Sequence, residues 1–225
     1  MKHLLNLLAA VALLVWGTQL VRTGILRVFG ASLRQIIAHS VRTPVTAALS
    51  GVGVTAVVQS STATALIVSS FVGQGLIALP AALAVMLGAD VGSSVMAVVF
   101  SLDLSWLSPL CIFVGVVLYV PRPDTTVGRM GRVFIGLGLM LLALRLITEA
   151  TTVLTQSDTV RALLGALASD LAMELTMGAL LALVSYSSLA TVLLTATLVG
   201  SGGIPVTVAL GLVLGANLGS GLLAV

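Results

Sequence analysis

The chain has 225 residues, of which 59% are hydrophobic and only 8% are charged, and its mean hydropathy is +1.23. A soluble domain has about a quarter of its residues charged, so this composition excludes a soluble globular protein and predicts an integral membrane protein. Ten Lys and Arg against seven acids give a net charge of +3, which in a membrane chain sets orientation and does not indicate a nucleic-acid partner.

The spans are predicted to be helices, because the apolar runs lack the alternation of barrel strands and unpaired backbone groups are not tolerated in lipid. Residues 4–20 form the first predicted span. A basic start before an apolar run also fits a cleaved signal peptide, but the later counterpart at residues 136–147 favours a span. Residues 22–44 carry four arginines among helically spaced apolar residues, which predicts a cytoplasmic amphipathic helix at the membrane interface.

A short apolar run follows at residues 45–58 and ends in the polar sequence Gln59-Ser60-Ser61-Thr62-Ala63-Thr64. Fourteen residues are too few to cross comfortably, so this run and residues 63–79 predict a re-entrant hairpin. Residues 81–100 form the next predicted span, interrupted at 88–94 by glycines and serines.

An interface follows that span, marked by Asp103 and Trp106, since Trp favours the depth of the headgroups. Residues 109–120 then return across the membrane to a predicted loop at 121–132, which carries three arginines.

The second half begins with a predicted span at residues 133–147 and continues into an acidic segment at 149–174. That segment holds four acids against one arginine, whereas residues 22–44 hold four arginines and no acid. Three further apolar runs follow, at residues 175–184, 189–199 and 204–225.

The chain contains an internal repeat. Residues 59–98 align with 186–225 without a gap, and 18 of the 40 pairs are identical. The identical pairs include polar residues and glycines, which are costly in lipid and therefore predict a binding site built twice: Ser60/Ser187, Ser61/Ser188, Thr64/Thr191, Gly73/Gly200, Gly88/Gly215, Gly92/Gly219 and Ser93/Ser220. We predict one membrane repeat at 1–127 and a second at 128–225. The second stops at the residue that matches Val98, which favours a fragment.

The distribution of charge predicts how the repeats are oriented. If residues 4–20 enter the cytoplasm, both arginine-rich connections are inside and the acidic segment is outside. The second copy then starts from the opposite face of the membrane, which makes the pair an inverted-topology repeat. In such proteins the binding site lies near the bilayer midplane, at broken helices.

The polar residues of the two copies are the candidate site. Hydroxyl and amide oxygens are hard ligands for a small cation, and the N–H groups at the start of a half-helix favour an anion. Asp90 is an acid within an apolar segment, and its counterpart Asn217 lacks the charge. The candidate substrate and ion ligands are Gln59, Ser60, Ser61, Thr62, Thr64, Asp90, Ser93, Tyr186, Ser187, Ser188, Thr191, Asn217 and Ser220.

The run TAVVQSSTATALIV, followed by LPAALAVMLGADVGSS, resembles the sodium:phosphate cotransporter family of the type II related group, whose mark is a QSSS motif in each of two inverted repeats. The resemblance implies that sodium and phosphate are bound by Gln59, Ser60, Ser61 and Thr62, with Ser187 and Ser188 from the second copy. It also implies a cytoplasmic helical domain outside this chain, similar to phosphate-uptake regulators.

Three positions depart from the family pattern. Tyr186 replaces the second glutamine, Leu189 replaces a hydroxyl residue, and Asp90 stands where the family usually has asparagine. The first two departures weaken the prediction of a complete sodium site in the second copy, and Asp90 bears on ion number, proton coupling and substrate.

The sequence therefore predicts a multi-pass inner-membrane symporter that imports inorganic phosphate or a related oxyanion with sodium, without any other cofactor. The alternative is a transport-deficient subunit with a binding or regulatory role. An intramembrane serine hydrolase is disfavoured because His3 and His39 lie outside the predicted spans and Lys2 is the sole lysine, so no enzyme is predicted. A homo-oligomer is left open.

Overall fold

The computed structural model describes residues 2–102, 104–154 and 170–223, with side chains described for 5–102, 104–151 and 170–223. Over these residues the chain forms nine α-helices and one 3-10 turn, at Ser105–Leu107. The helices are α1 Lys2–Ser40, α2 Pro44–Val58, α3 Ser61–Gly73, α4 Leu79–Ser101, α5 Ser108–Tyr119, α6 Thr126–Leu154, α7 Leu171–Ser185, α8 Ser188–Gly200 and α9 Val206–Leu222. Asp103 and residues 155–169 of the predicted acidic segment lie outside the described residues.

Three stretches of helix are long and apolar enough to cross a membrane: Leu5–Ser40, Leu79–Ser101 and Thr126–Thr151. The other described apolar helices have 10–17 residues each. Many large apolar side chains point outward, as a lipid-facing surface requires. The predicted all-α membrane fold is confirmed.

The first helix differs from the prediction, because α1 continues unbroken through residue 21 to Ser40 in place of a span and a separate interfacial helix. No proline or capping residue interrupts it, and α6 packs along both halves. A Cβ added at Gly17 would lie 2.8 Å from the Gly136 carbonyl oxygen, and one at Gly24 would lie 3.3 Å from that of Arg129. The chain breaks only after Ser40, where Thr43 caps α2 and Pro44 occupies its first turn.

Helices α1 and α6 run antiparallel. Gly17 faces Gly136 and Gly24 faces Val133 and Arg129, so rising residue numbers on α1 meet falling numbers on α6. The side chain of Arg129 also donates to the backbone oxygen of Arg27 at 3.4 Å. The two arginine-rich segments of the sequence therefore lie at the same end of this helix pair.

The predicted loop at 121–132 is shorter than expected, because α6 begins at Thr126. The Thr125 hydroxyl accepts from the Gly128 N–H at 3.2 Å and so caps the new helix start.

The glycines in α4 serve close helix packing and do not break the helix. Residues 88–94 are helical throughout, so the interruption predicted there is wrong. A Cβ at Gly88 would collide with the carbonyl oxygen of Ala48, and one at Gly92 would lie 2.6 Å from that of Val52. Glycine is required at these positions because the backbones of α2 and α4 touch.

The helix bounds repeat as the sequence does. The alignment that pairs Ser60 with Ser187 also matches both ends of α2 to those of α7, both ends of α3 to those of α8, and the start of α4 to that of α9. The close packing repeats as well, because Cβ atoms at Gly215 and Gly219 would strike the backbone of Leu175 and Ala179. Across the copies, α3 packs against α9 and α4 against α8.

Candidate functional site

The first serine motif forms a sharp turn between α2 and α3. Gln59 closes α2 in the left-handed conformation, with φ 57° and ψ 31°, and Ser60 follows in extended conformation as the N-cap of α3. The Ser60 hydroxyl accepts from the Ala63 N–H at 3.2 Å. Left-handed backbone is uncommon for residues other than glycine and costs about 1 kcal/mol, so the surrounding helices must hold this turn in place.

The second motif repeats this geometry with different side chains. Tyr186 is left-handed with φ 51° and ψ 28°, and Ser187 caps α8 by accepting from the Ala190 N–H at 3.1 Å. The two left-handed residues are the only non-glycine residues with positive φ among those described. The serine cap and the two flanking helices therefore set the turn, and the glutamine side chain is not needed for it.

Gln59 carries the clearest sign of a ligand. Its Oε1 atom is buried and has no hydrogen-bond partner within the described part of the chain. An unpaired buried carbonyl oxygen costs about 1–3 kcal/mol, so such an atom calls for a bound cation or donor. The side chain of Tyr186 is 61% exposed, so the second turn offers no equivalent buried oxygen.

A buried pair of hydroxyls stabilises the first turn from within. Thr55 on α2 and Thr64 on α3 are fully buried, and their hydroxyls hydrogen-bond at 2.8 Å. The counterpart of Thr55 is Ala182, and the Thr191 hydroxyl donates instead to the backbone oxygen of Ser187 at 3.3 Å. The first turn thus has a side-chain link between its helices that the second lacks.

Other predicted site residues lie close to the turns. Thr62 and Ser188 are buried in the first turns of α3 and α8, and Ser61 is partly buried. Ser93 and Ser220 bond to carbonyl oxygens of their own helices, at 3.1 and 2.9 Å, as serines in membrane helices commonly do.

Asp90 and Asn217 lie on exposed faces of α4 and α9. Gly88 and Gly92 face α2, and Asp90, midway between them, points away from α2 and is exposed. Asn217 occupies the same outward face of α9 and is also exposed. Their prediction as ligands beside the serine motifs gains no support from this placement.

Two cavities lie against the short helices. One, of about 510 Å³, lies between α6, α8 and residues 100–105, and the other, of about 480 Å³, lies between α1 and α3. None of the predicted site residues lines either cavity. The cavity between α1 and α3 reaches the first motif at Ala63, three residues after Ser60.

Arg22 and Gln19 contact the second turn from α1, and the sequence analysis missed both. Nη1 of Arg22 donates to the Tyr186 carbonyl oxygen and Nε2 of Gln19 to that of Ser185, each at 3.5 Å. Arg22 also lines the cavity that Ala63 lines from the start of α3, so it borders the same cavity as one residue of the first motif. The available signal was a pair of polar side chains on adjacent helical turns at the end of the first apolar run.

The arrangement suits a small cation and an oxyanion. The buried Gln59 oxygen and the carbonyls freed at the helix break are hard oxygen ligands, and the first turns of α3 and α8 present free N–H groups. No group of three or more His, Cys, Asp or Glu side chains forms a metal cluster within the described ranges.

Comparison with known proteins gives the family. A family model described as Na+/Pi-cotransporter matches residues 13–149. Proteins described as "Putative inorganic phosphate export protein YjbB" from Escherichia coli K12 and Salmonella typhimurium LT2 are each 56% identical over 224 residues, which is 100% of this chain and 41% of theirs. The chain therefore spans about two fifths of the length of these relatives. No solved structure matches the chain at a significant level.

Proposed function

Because the chain belongs to the Na+/Pi-cotransporter family, we propose that it forms a membrane carrier that moves inorganic phosphate together with sodium. The observation that carries the proposal is the buried Gln59 oxygen without a partner, at a turn that occurs twice in the fold. An oxygen in that state is destabilising in the empty protein and becomes stabilising when a cation binds.

Sodium would be bound by oxygens of the first turn, namely Gln59, Ser60, Ser61 and Thr62, with Ser187 and Ser188 contributing from the second. Phosphate would bind the helix starts at Ser60 and Ser187, where N–H groups and the helix dipole favour an anion. A cation and an anion in one site each lower the cost of burying the other.

The transport cycle would be alternating access between two inverted copies. The alignment of the two copies makes α1 and α6 equivalent helices. Because these two helices pack antiparallel, their orientation supports the inversion. Rocking of one copy against the other would expose the turns first on one face of the inner membrane and then on the other.

The net direction of transport would follow the gradients. A carrier of this kind is reversible, so an inward sodium gradient drives phosphate import, as the sequence predicts. The name given to the relatives specifies phosphate export. Outward movement of an anion is favoured by an inside-negative membrane potential and needs no sodium.

The test is phosphate flux in proteoliposomes, measured in both directions with sodium or with choline as the only cation. We expect inward flux to require sodium. If any negative charge on phosphate is left uncompensated by sodium, inward flux should also increase with an inside-positive potential. If no phosphate flux is measured inward or outward, the result would contradict carrier function.

Sodium-independent phosphate efflux is a second candidate. It is favoured by the second turn, where Tyr186 and Leu189 replace residues that would supply sodium ligands. Equal outward flux in sodium and in choline, with no sodium-driven uptake, identifies this mode.

A further inference from the structure

A groove of about 480 Å³ lies between α1 and α3, and its charged lining residues are both arginines. Arg22 and Arg34 line it from α1, and Ala63, Leu66 and Ile67 line it from α3. A water molecule takes about 30 Å³ in the liquid, so the groove has room for a hydrated anion. It reaches the start of α3, which is the helix capped by Ser60.

Arg22 lacks an acidic partner in this groove. The guanidinium is partly buried, and no carboxylate lies within 4 Å of it among the side chains described, at residues 5–102, 104–151 and 170–223. Its hydrogen bond to the Tyr186 carbonyl oxygen is long, at 3.5 Å, and brings no negative charge. A partly desolvated cation of this kind is stabilised by an anion, and a guanidinium matches the geometry of a phosphate group.

The corresponding position in the second copy has the opposite charge. The alignment that pairs Ser60 with Ser187 places Glu149 at the position of Arg22, and Leu193 at that of Leu66. Glu149 and Leu193 also line a cavity, of about 510 Å³, but there Glu149 pairs with Arg145 at 2.8 Å. The two cavities therefore occupy related positions in the two copies. The cavity of the first copy is lined by arginines and no acid, whereas the cavity of the second is lined by an arginine and a glutamate.

The arginine-lined groove lies toward the end of α1 where the arginines of α1 and α6 meet. By the positive-inside rule this end is cytoplasmic. A cytoplasmic phosphate ion would thus meet Arg34, then Arg22, and then the turn at Ser60.

We propose that the groove lined by Arg22 and Arg34 is the cytoplasmic vestibule that captures free phosphate and delivers it to the serine turns. This inference rests on the proposed function. Two positive charges in a groove with apolar walls raise the local concentration of an anion. Their attraction for the anion weakens as the salt concentration rises, because salt screens the charges. The phosphate group of an anionic lipid has the same chemistry, and we commit to the free ion.

The experiment measures the phosphate KM separately on each face of the full chain in proteoliposomes of phosphatidylcholine. We expect Arg22→Gln to raise the KM on the arginine-rich face about fivefold or more and to change the KM on the other face less than twofold. Arg22→Lys keeps the charge without the planar fork and should recover part of the effect. The wild-type KM on the arginine-rich face should rise with ionic strength, and that of Arg22→Gln should rise less.

Two further variants keep the test decisive. Arg34→Gln alters an exposed residue that the fold does not depend on, and we expect its KM to rise about twofold if the vestibule exists. Arg27→Gln is the matched control, since its exposed side chain lies on the same helix outside the groove, and it should leave KM unchanged.

The outcomes separate the two hypotheses. Wild-type flux with an unchanged KM in both Arg22→Gln and Arg34→Gln overturns the vestibule and leaves the carrier function intact. A second outcome is that transport depends on added phosphatidylglycerol, and that Arg22→Gln loses this dependence while its phosphate KM is unchanged. That result would assign the groove to a lipid headgroup and would also overturn the vestibule. No phosphate flux by the wild type overturns the carrier function, and the vestibule with it.

Discussion

The two copies of the repeat share a backbone geometry but not the same polar side chains. Both turns pair a left-handed residue with a capping serine, and both pack their helices through glycines at matching positions. The first copy adds oxygen-bearing side chains where the second has none or a different one: Thr55 against Ala182, Gln59 against Tyr186, Thr62 against Leu189 and Asp90 against Asn217. The backbone geometry of the turns therefore does not depend on the oxygen-bearing side chains that distinguish the first copy.

A second difference lies where the paired helices cross. In the first copy Ala47 and Ala84 occupy positions that in the second are taken by Glu174 and Gly211. Glu174 is buried, and a Cβ at Gly211 would collide with its carboxylate. The loss of a methyl group on α9 therefore compensates for the larger side chain on α7.

The largest effect should come from the feature that the copies share. Gly88→Ala and Gly215→Ala each place a Cβ against a backbone carbonyl that cannot move aside, and each should destabilise the protein by about 3 kcal/mol. Thermal unfolding in detergent would measure both. Gly53→Ala, where a Cβ meets nothing within 4 Å, is the control and should not destabilise. A large difference between the two glycine variants would contradict equivalent packing in the copies.

The Glu174 and Gly211 pair offers a test of compensation. Gly211→Ala alone should destabilise by about 2 kcal/mol, because the added methyl displaces the buried Glu174 side chain. The double variant Glu174→Ala and Gly211→Ala reproduces the pair found in the first copy and should recover most of that loss. Additive effects in this double-mutant cycle would show that the two residues do not interact.

The difference between the turns should appear in sodium dependence. We expect Gln59→Ala to raise the sodium concentration for half-maximal phosphate flux about tenfold, equivalent to about 1.4 kcal/mol, because it removes the buried oxygen. Tyr186→Ala should change that concentration less than twofold. Gln74→Ala is the matched control, since that exposed glutamine bonds only to Ser70. Equal effects at residues 59 and 186 would argue for two equivalent ion sites.

The smallest effect concerns the buried threonines. Thr64→Val should destabilise by about 1 kcal/mol, since it leaves the Thr55 hydroxyl buried without its partner. Thr191→Val should cost less, because its hydroxyl bonds only to a carbonyl of its own helix. Thermal unfolding of both variants measures the difference in stability loss. The control is the double variant Thr55→Ala and Thr64→Val, which removes both hydroxyls of the buried pair. The combined variant should lie closer to the wild type than Thr64→Val does.

Some features followed from the sequence because they depend on neighbouring residues or on composition. Hydropathy gave the membrane class, and the internal repeat anticipated the helix bounds that recur in the two copies. The polar turn at Gln59 and Ser60 was recognisable because polar residues inside apolar sequence need a reason in lipid.

Other features were decided only when the helices packed. Periodicity cannot distinguish a glycine that breaks a helix from one that admits a neighbouring backbone, and so residues 88–94 were wrongly predicted as an interruption. The same limit divided α1 in two, since the contacts with α6 that hold it straight involve residues far away in the chain. Burial of the Gln59 oxygen, exposure of Asp90 and the contact of Arg22 with the second turn are likewise properties of the assembled fold. Each depends on which helix face meets which, and a single sequence does not specify that.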